Sequence, residues 1–301
     1  MLALLLACSD YGVARHVEVQ SWTQPSREGG VDIVWVIDDS SSMLEEQEQL
    51  AAHADSFISF LTHVPVDFRL TVVTTDPDAG GPWTVMTGET PELAELFAEQ
   101  ILSSTYGSRD ERAFDMAIAA ASPTQNPDFA RKKADLEVVL FSDEDDHSEM
   151  DATAFVDQLS SERSGAVVVN AIVGDLPEGC ASVVAAADPG GKHVEAQELT
   201  GGAKESICSS DYGALLERIA LQVLGLDNEF ALNRLPELDS LEARVDDVLI
   251  HRRDRHGWHY EAGENLIVLD GYSVPPPGST LTVRYFEWYG LDESLDQETG
   301  L

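Results

Sequence analysis

The chain has 301 residues and carries 55 acidic against 18 basic side chains, a formal net charge of −37. Such a surface repels nucleic-acid phosphates and anionic lipid headgroups, so both are excluded as partners; it attracts divalent cations and basic groups instead. The 43% apolar content is that of a globular protein, long enough for one large domain or for a medium and a small one.

The chain opens with the apolar run Met1 to Ala7, followed by Cys8. A short apolar segment, a small residue and then Cys resembles the lipobox of bacterial lipoproteins, in which the Cys becomes the lipidated N-terminus. No basic stretch precedes the run, so residues 1–7 are expected to be a truncated signal segment. No other run is long enough to span a bilayer, which makes an anchor at Cys8 the expected sole membrane attachment. The protein is then expected in a bacterial cell envelope, periplasmic or outer-surface exposed. Residues 8–30 are polar, with Pro25 and Gly29-Gly30, and read as a tether.

From Val31 the text alternates between strand and helix. Val31 to Ile37 is an apolar, β-branched run that ends abruptly in Asp38, Ser40 and Ser42. Met43 to Leu61 has helical spacing, Phe68 to Thr75 reads as a strand, and Pro91 to Leu102 and Arg109 to Ala121 read as helices. Leu136 to Phe141 is a third strand, Asp151 to Leu159 a helix, Ala166 to Val173 a fourth strand and Tyr212 to Leu224 a closing helix. This alternation predicts an α/β fold: a mostly parallel sheet flanked by helices on both faces. After Leu226, strands at Val245 to Ile250, Asn265 to Leu269 and Thr280 to Tyr289 predict a small all-β module over 226–301. Cys180 and Cys208 form an even pair in a chain with export features, and a disulfide between them is expected.

A buried strand that delivers a carboxylate and two hydroxyls to its carboxyl end makes a hard oxygen site for Mg²⁺, Ca²⁺ or Mn²⁺, at the edge where open α/β sheets bind ligands. Two further segments complete the pattern. Ser108 precedes a helix in the text Ser108-Arg109-Asp110-Glu111-Arg112-Ala113-Phe114, and Ser142-Asp143-Glu144 follows the third strand. The set resembles the von Willebrand factor A (VWA) domain and its relative, the integrin inserted domain, over about residues 31–225. That family's metal-ion-dependent adhesion site (MIDAS) uses D-x-S-x-S, a Thr before a helix, and T-D-G. The resemblance implies a Rossmann-like VWA fold and metal ligands at Asp38, Ser40, Ser42, Ser108 and Asp143. It also implies a protein partner whose acidic side chain completes the metal coordination.

The chain departs from the family pattern by being more acidic. Ser108 stands for Thr, Asp110 and Glu111 follow where small residues are usual, and Glu144 replaces Gly, followed by Asp145 and Asp146. Asp110, Glu111 and Asp145 are therefore candidate additional metal contacts. A competing explanation covers part of the motif: Ser42 and Glu45 form the S-x-x-E of a helix capping box. The run Asp143 to Asp146 lacks the Gly and Glu of an EF-hand loop and reads as a solvated acidic loop, with a second Ca²⁺ site as the alternative and His147 on the surface. No nucleophile elbow, H-E-x-x-H or phosphate loop is present, so the chain reads as a binding module and not an enzyme. The alternatives are a metal-dependent phosphohydrolase, or a structural lipoprotein whose metal only stiffens the sheet edge.

Overall fold

The computed structural model describes residues 15–27, 29–102, 107, 110–161, 163–183, 185–253 and 255–288. Cys8 and Ser108 lie outside them. The chain begins with β1 (Val17–Thr23), β2 (Val31–Ile37), α1 (Leu44–Ala52), α2 (Ala54–His63), β3 (Phe68–Thr74), α3 (Leu93–Ile101) and α4 (Ala113–Ala121). It continues through β4 (Asp135–Ser142), α5 (Ala152–Ser161), β5 (Val167–Val173), the short β6 (Cys180–Ala181) and β7 (Ala186–Ala187), α6 (Gly191–Thr200), β8 (Lys204–Ser206) and α7 (Tyr212–Leu224). It closes with β9 (Glu229–Ala231), β10 (Glu242–Val245), β11 (Val248–Ile250), β12 (Trp258–Glu261), β13 (Leu266–Leu269) and β14 (Thr280–Phe286).

These elements form two units. The first holds Pro25–Asp227 with Pro276–Gly278. Its five strands run in the order β3-β2-β4-β5-β8, and every neighbouring pair is parallel. All seven residues of β2 are buried, as a central parallel strand covered on both faces requires. Alternation sorts its side chains. Trp35 packs against Phe57 and Phe97 at ring distances of 5.2 and 5.5 Å, under the layer of α1, α2, α3 and α7. Val34 and Val36 face α4, α5 and α6, where Phe114 stacks on Phe155 at 4.0 Å. The architecture is a mostly parallel sheet with helices on both faces, as the sequence predicts.

The amino-end edge of this sheet buries charge. Asp32, fully buried, accepts hydrogen bonds from Arg131 N and Nε, both at 2.7 Å, and from Arg163 Nη1 at 3.1 Å. Glu137, also fully buried, accepts from Arg27 Nη2 at 2.8 Å and Asn170 Nδ2 at 2.9 Å. Burial still pushes the Glu137 carboxyl up to about 7.

The second unit is all antiparallel β. One sheet runs β1-β14-β10-β11 and the other β12-β13-β9. Trp22 packs on Phe230 between them, with ring centroids 5.4 Å apart. Among the described residues no helix is long and apolar enough to cross a membrane.

Four details differ from the sequence reading. Residues expected in the tether form β1, whose alternating V-E-V-Q-S-W-T pairs with β14 from Val17↔Phe286 to Thr23↔Thr280. The expected helix from Met43 to Leu61 breaks at His53, whose ring bonds the Gln49 carbonyl at 2.9 Å. The expected strand from Val245 to Ile250 is a hairpin. Asp246 and Asp247 sit at φ 47° and 67°, the left-handed pair that a two-residue turn demands. Helix α6 was not expected at all. Its buried face is only His193, Val194 and Ala196, too weak an apolar period to read.

Candidate metal centre

β2 and β4 are sheet neighbours, yet the chain visits β3 on the far side of β2 between them. Their carboxyl ends therefore flank the point where strand order reverses, the crevice of an open α/β sheet. Asp38 leaves β2 there, held by its N–H to Phe141 O at 2.9 Å and by Gln47 Nε2 on its carbonyl at 2.7 Å. Asp143 leaves β4 beside it. Two of the expected segments thus converge.

The side chains meet in a tight polar cluster. Asp38 Oδ1 accepts from Ser40 N at 2.8 Å and Oδ2 from Ser142 Oγ at 2.6 Å. Ser40 Oγ and Ser42 Oγ are 2.9 Å apart. That is a hydrogen bond, and also about the spacing of oxygens on adjacent vertices of an octahedral Mg²⁺ shell. The capping box does not form: no side-chain cap closes the helical turn at Ser41–Met43 or the start of α1. The Ser42 hydroxyl instead bonds the Asp143 carboxylate. Both serines therefore turn to the crevice, where helix capping no longer explains them.

The electrostatics are those of a site short of positive charge. Burial, with Asp38 alongside, pushes the Asp143 carboxyl up to about 7. Burial, with Asp76 and Asp38, pushes Asp39 up to about 6. Burial also raises Glu46 and Glu111, and the Asp38 charge acts on both. Asp143 Oδ1, Asp39 Oδ1, Glu46 Oε2 and Glu111 Oε2 are buried without a hydrogen-bond partner. Orphaned buried carboxylate oxygens are costly, and a divalent cation is the group that would satisfy them. The donor set of hydroxyls and carboxylates fits a hard dication.

The acidic run after β4 divides by task. Asp143 enters the cluster. Glu144 joins Glu111 and His147, whose ligand atoms all lie within 4.8 Å of one another. Asp145, expected as a metal contact, is instead engaged at the start of α6, where its Oδ1 accepts from Lys192 N at 2.9 Å. Asp146 accepts from Phe114 N at 3.1 Å, at the start of α4, and from Lys192 Nζ at 3.2 Å. Asp143, Asp146 and Ser148 are buried, so this is no solvated loop. Helix amino ends want anions, and two of these residues supply them across long sequence distances. Asp110 stays at the exposed rim, 4.0 Å from His147.

One wall of the site is stapled. Cys180 and Cys208 form a disulfide, which ties the β6–β7 hairpin to the segment before α7. Beyond the hairpin, Asp188 N donates to Asp143 O at 2.8 Å, and Ala186 hydrogen-bonds the Glu46 carboxylate. The sequence reading did not connect Glu46 or this hairpin to the site. Glu46, buried on the first turns of α1, had a visible signal in its closeness to the serine motif. Replacing both cysteines by serine is expected to cost about 3–4 kcal/mol on the chain-entropy model for a loop of this length, read by urea denaturation. An unchanged midpoint would show that the hairpin holds without its staple.

No family model matches the chain, and no curated protein matches it. Solved structures do. A von Willebrand factor type A protein from Catenulispora acidiphila is 12% identical, with a TM-score of 0.47 over 92% of this chain and 62% of that one. The pilus adhesin SpaC from Lactobacillus rhamnosus GG is 10% identical, with a TM-score of 0.48 over 90% and 42%. Proximal thread matrix protein 1 of the mussel byssus, with a zinc-occupied MIDAS motif, is 14% identical, with a TM-score of 0.43 over 71% and 51%. The chain thus spans less than two thirds of the length of each.

Proposed function

We propose that this chain is a protein-binding module that holds a divalent cation at the carboxyl edge of its VWA-like sheet and docks an acidic side chain of its partner there. The observation that carries this reading is the convergence of Asp38, Ser40, Ser42 and Asp143, with a buried Asp143 oxygen left unsatisfied. Ser40 and Ser42 offer neutral oxygens, and Asp38 and Asp143 supply the charge. Ser108 is the expected fifth ligand. A cation held partly by neutral oxygens keeps positive field for an incoming carboxylate.

The surroundings favour a macromolecular partner. Ser42 is exposed, so the cluster opens outward. Exposed Leu44, Leu176 and Val183 stand in the segments next to it, on α1, after β5 and at the β6–β7 hairpin. Exposed apolar side chains in these segments suit a protein partner better than a small anion. Mg²⁺ and Ca²⁺ both suit the oxygen donors, and Mn²⁺ is accommodated. The reading includes an envelope location and a lipid anchor at Cys8.

The test pairs calorimetry with capture. Mg²⁺ and Ca²⁺ are titrated into wild type and Ser40→Ala, and partners are captured from a cell-envelope extract with and without chelator. Expected is a cation-binding event that Ser40→Ala weakens at least about tenfold, about 1.4 kcal/mol, and capture that chelation abolishes. Capture indifferent to chelator would overturn the adhesive role. Phosphatase or esterase turnover that Asp38→Ala removes would establish an enzyme in its place.

A further inference from the structure

Glu111, expected as an additional metal contact, groups with Glu144 and His147, outside the set of Asp38, Ser40, Ser42 and Asp143. They come from two segments pinned together by His147 N donating to Glu111 O at 2.8 Å. Glu111 lies just before α4, and Glu144 and His147 follow β4. Their ligand atoms lie within 4.8 Å of one another, with His147 Nδ1 3.2 Å from Glu111 Oε2.

The arrangement is not a surface coincidence of acids. Glu111 is only 2% exposed, yet its Oε2 has no hydrogen-bond partner. A buried carboxylate oxygen aimed at a neighbouring imidazole and a second carboxylate is poised for a cation. Two neighbouring cations are engaged outside this cluster: Arg112 pairs with Asp115 at 2.6 Å and Lys192 with Asp146 at 3.2 Å.

We propose that Glu111, Glu144 and His147 form a second metal site at the rim of the first, selective for a transition-metal dication of the zinc type. Two carboxylates and one imidazole suit Zn²⁺, Co²⁺ or Mn²⁺, whereas Mg²⁺ and Ca²⁺ prefer oxygen alone. Three protein ligands leave a position open, as in zinc sites that accept a fourth ligand from outside. Glu144 and His147 are partly or fully exposed, so that position is reachable from solvent. Bound metal would also lock the segment before α4 to the segment after β4.

The site is tested on the full chain with Zn²⁺ and Co²⁺ titrated in the presence of saturating Mg²⁺. Wild type and Ser40→Ala are both expected to take up Co²⁺ with visible absorption bands of low coordination number. His147→Ala and Glu111→Gln should lose those bands. Their Zn²⁺ affinity should fall by more than the roughly 10–100-fold that loss of a residue hydrogen-bonded to a metal ligand costs. His147 is exposed, so its removal spares the core, and Glu111→Gln keeps the buried volume. Mg²⁺ binding should persist in His147→Ala, which separates this site from the serine–aspartate one. Zinc bound equally well by His147→Ala and Glu111→Gln overturns the proposal, whether it sits at the other His–carboxylate group, His16, Glu18 and Glu287, or replaces Mg²⁺ at the serines.

Discussion

Metal-free protein is expected to be less stable at about pH 8 than at about pH 5, and a saturating divalent cation is expected to remove most of that loss. The sign follows from Asp143. Its carboxyl titrates at about 7 in the folded chain against an ordinary value of 3.8. The folded state therefore holds a proton over a window in which the unfolded state has already released it. Stability falls as pH rises through that window and levels off above about 7. About two of the shifted pKa units fall between pH 5 and pH 7, which corresponds to on the order of 3 kcal/mol. Asp39, raised to about 6, adds in the same direction. A bound cation stabilises the ionised carboxylates and reverses the trend, by about 2.7 kcal/mol at one hundred times its dissociation constant. Urea unfolding across this pH range, with and without Mg²⁺ or Ca²⁺, measures both effects. Asp143→Asn should make the metal-free profile shallower, leaving the slope of Asp39 and Glu137, and abolish the cation response. A flat profile in the wild type would refute the electrostatic picture of the site. Glu137, raised to about 7 at the opposite edge of the sheet, contributes a slope of the same sign that metal leaves untouched.

Asp32→Ala is the substitution expected to damage the fold most. Asp32 is fully buried and is the acceptor for Arg131 and Arg163, whose side chains are 18% and 3% exposed. Deleting the carboxylate leaves a buried guanidinium without its counter-charge, and breaking a buried pair this way costs about 3–5 kcal/mol. For a unit of this size the melting temperature should drop by roughly 10 °C. Replacing Asp32 and Arg163 together by apolar residues of similar volume should cost far less, because no charge is then stranded. If the single and double variants are equally damaged, packing and not charge pairing is the reason. Because Asp32 sits at the amino end of β2 and Asp38 just past the other, Asp32→Ala that remains folded should still bind cation with unchanged affinity.

What the sequence makes legible is what depends on neighbours in the chain. Val31 to Ile37 reads as a buried parallel strand because every residue is apolar or sealed, and Asp38 and the serines follow at once. The same locality misleads at Ser42 and Glu45, where a good capping pattern exists on paper. The hydroxyl finds the Asp143 carboxylate 101 positions away by residue number, a partner no local pattern displays. Asp145 and Asp146 are similar: their acidity looks like a metal feature or a solvated loop until the amino ends of α6 and α4 are brought to them. Helix α6 itself is invisible because the anion at its start comes from Asp145. β1 had a readable alternation, but its partner lies at the far end of the chain, and a lone alternating segment next to prolines and glycines reads as a linker.

The pairing of Val17–Thr23 with Thr280–Phe286 also dictates an order of events during synthesis. β1 must wait, unpaired, until β14 has emerged from the ribosome, while the Pro25–Asp227 segment can already fold in between. The sheet that joins β1 to β14 therefore closes after the segment it encloses in sequence. A chain stalled or cleaved before Thr280 would keep the Pro25–Asp227 segment but leave β1 as a bare strand edge, open to pairing with another molecule.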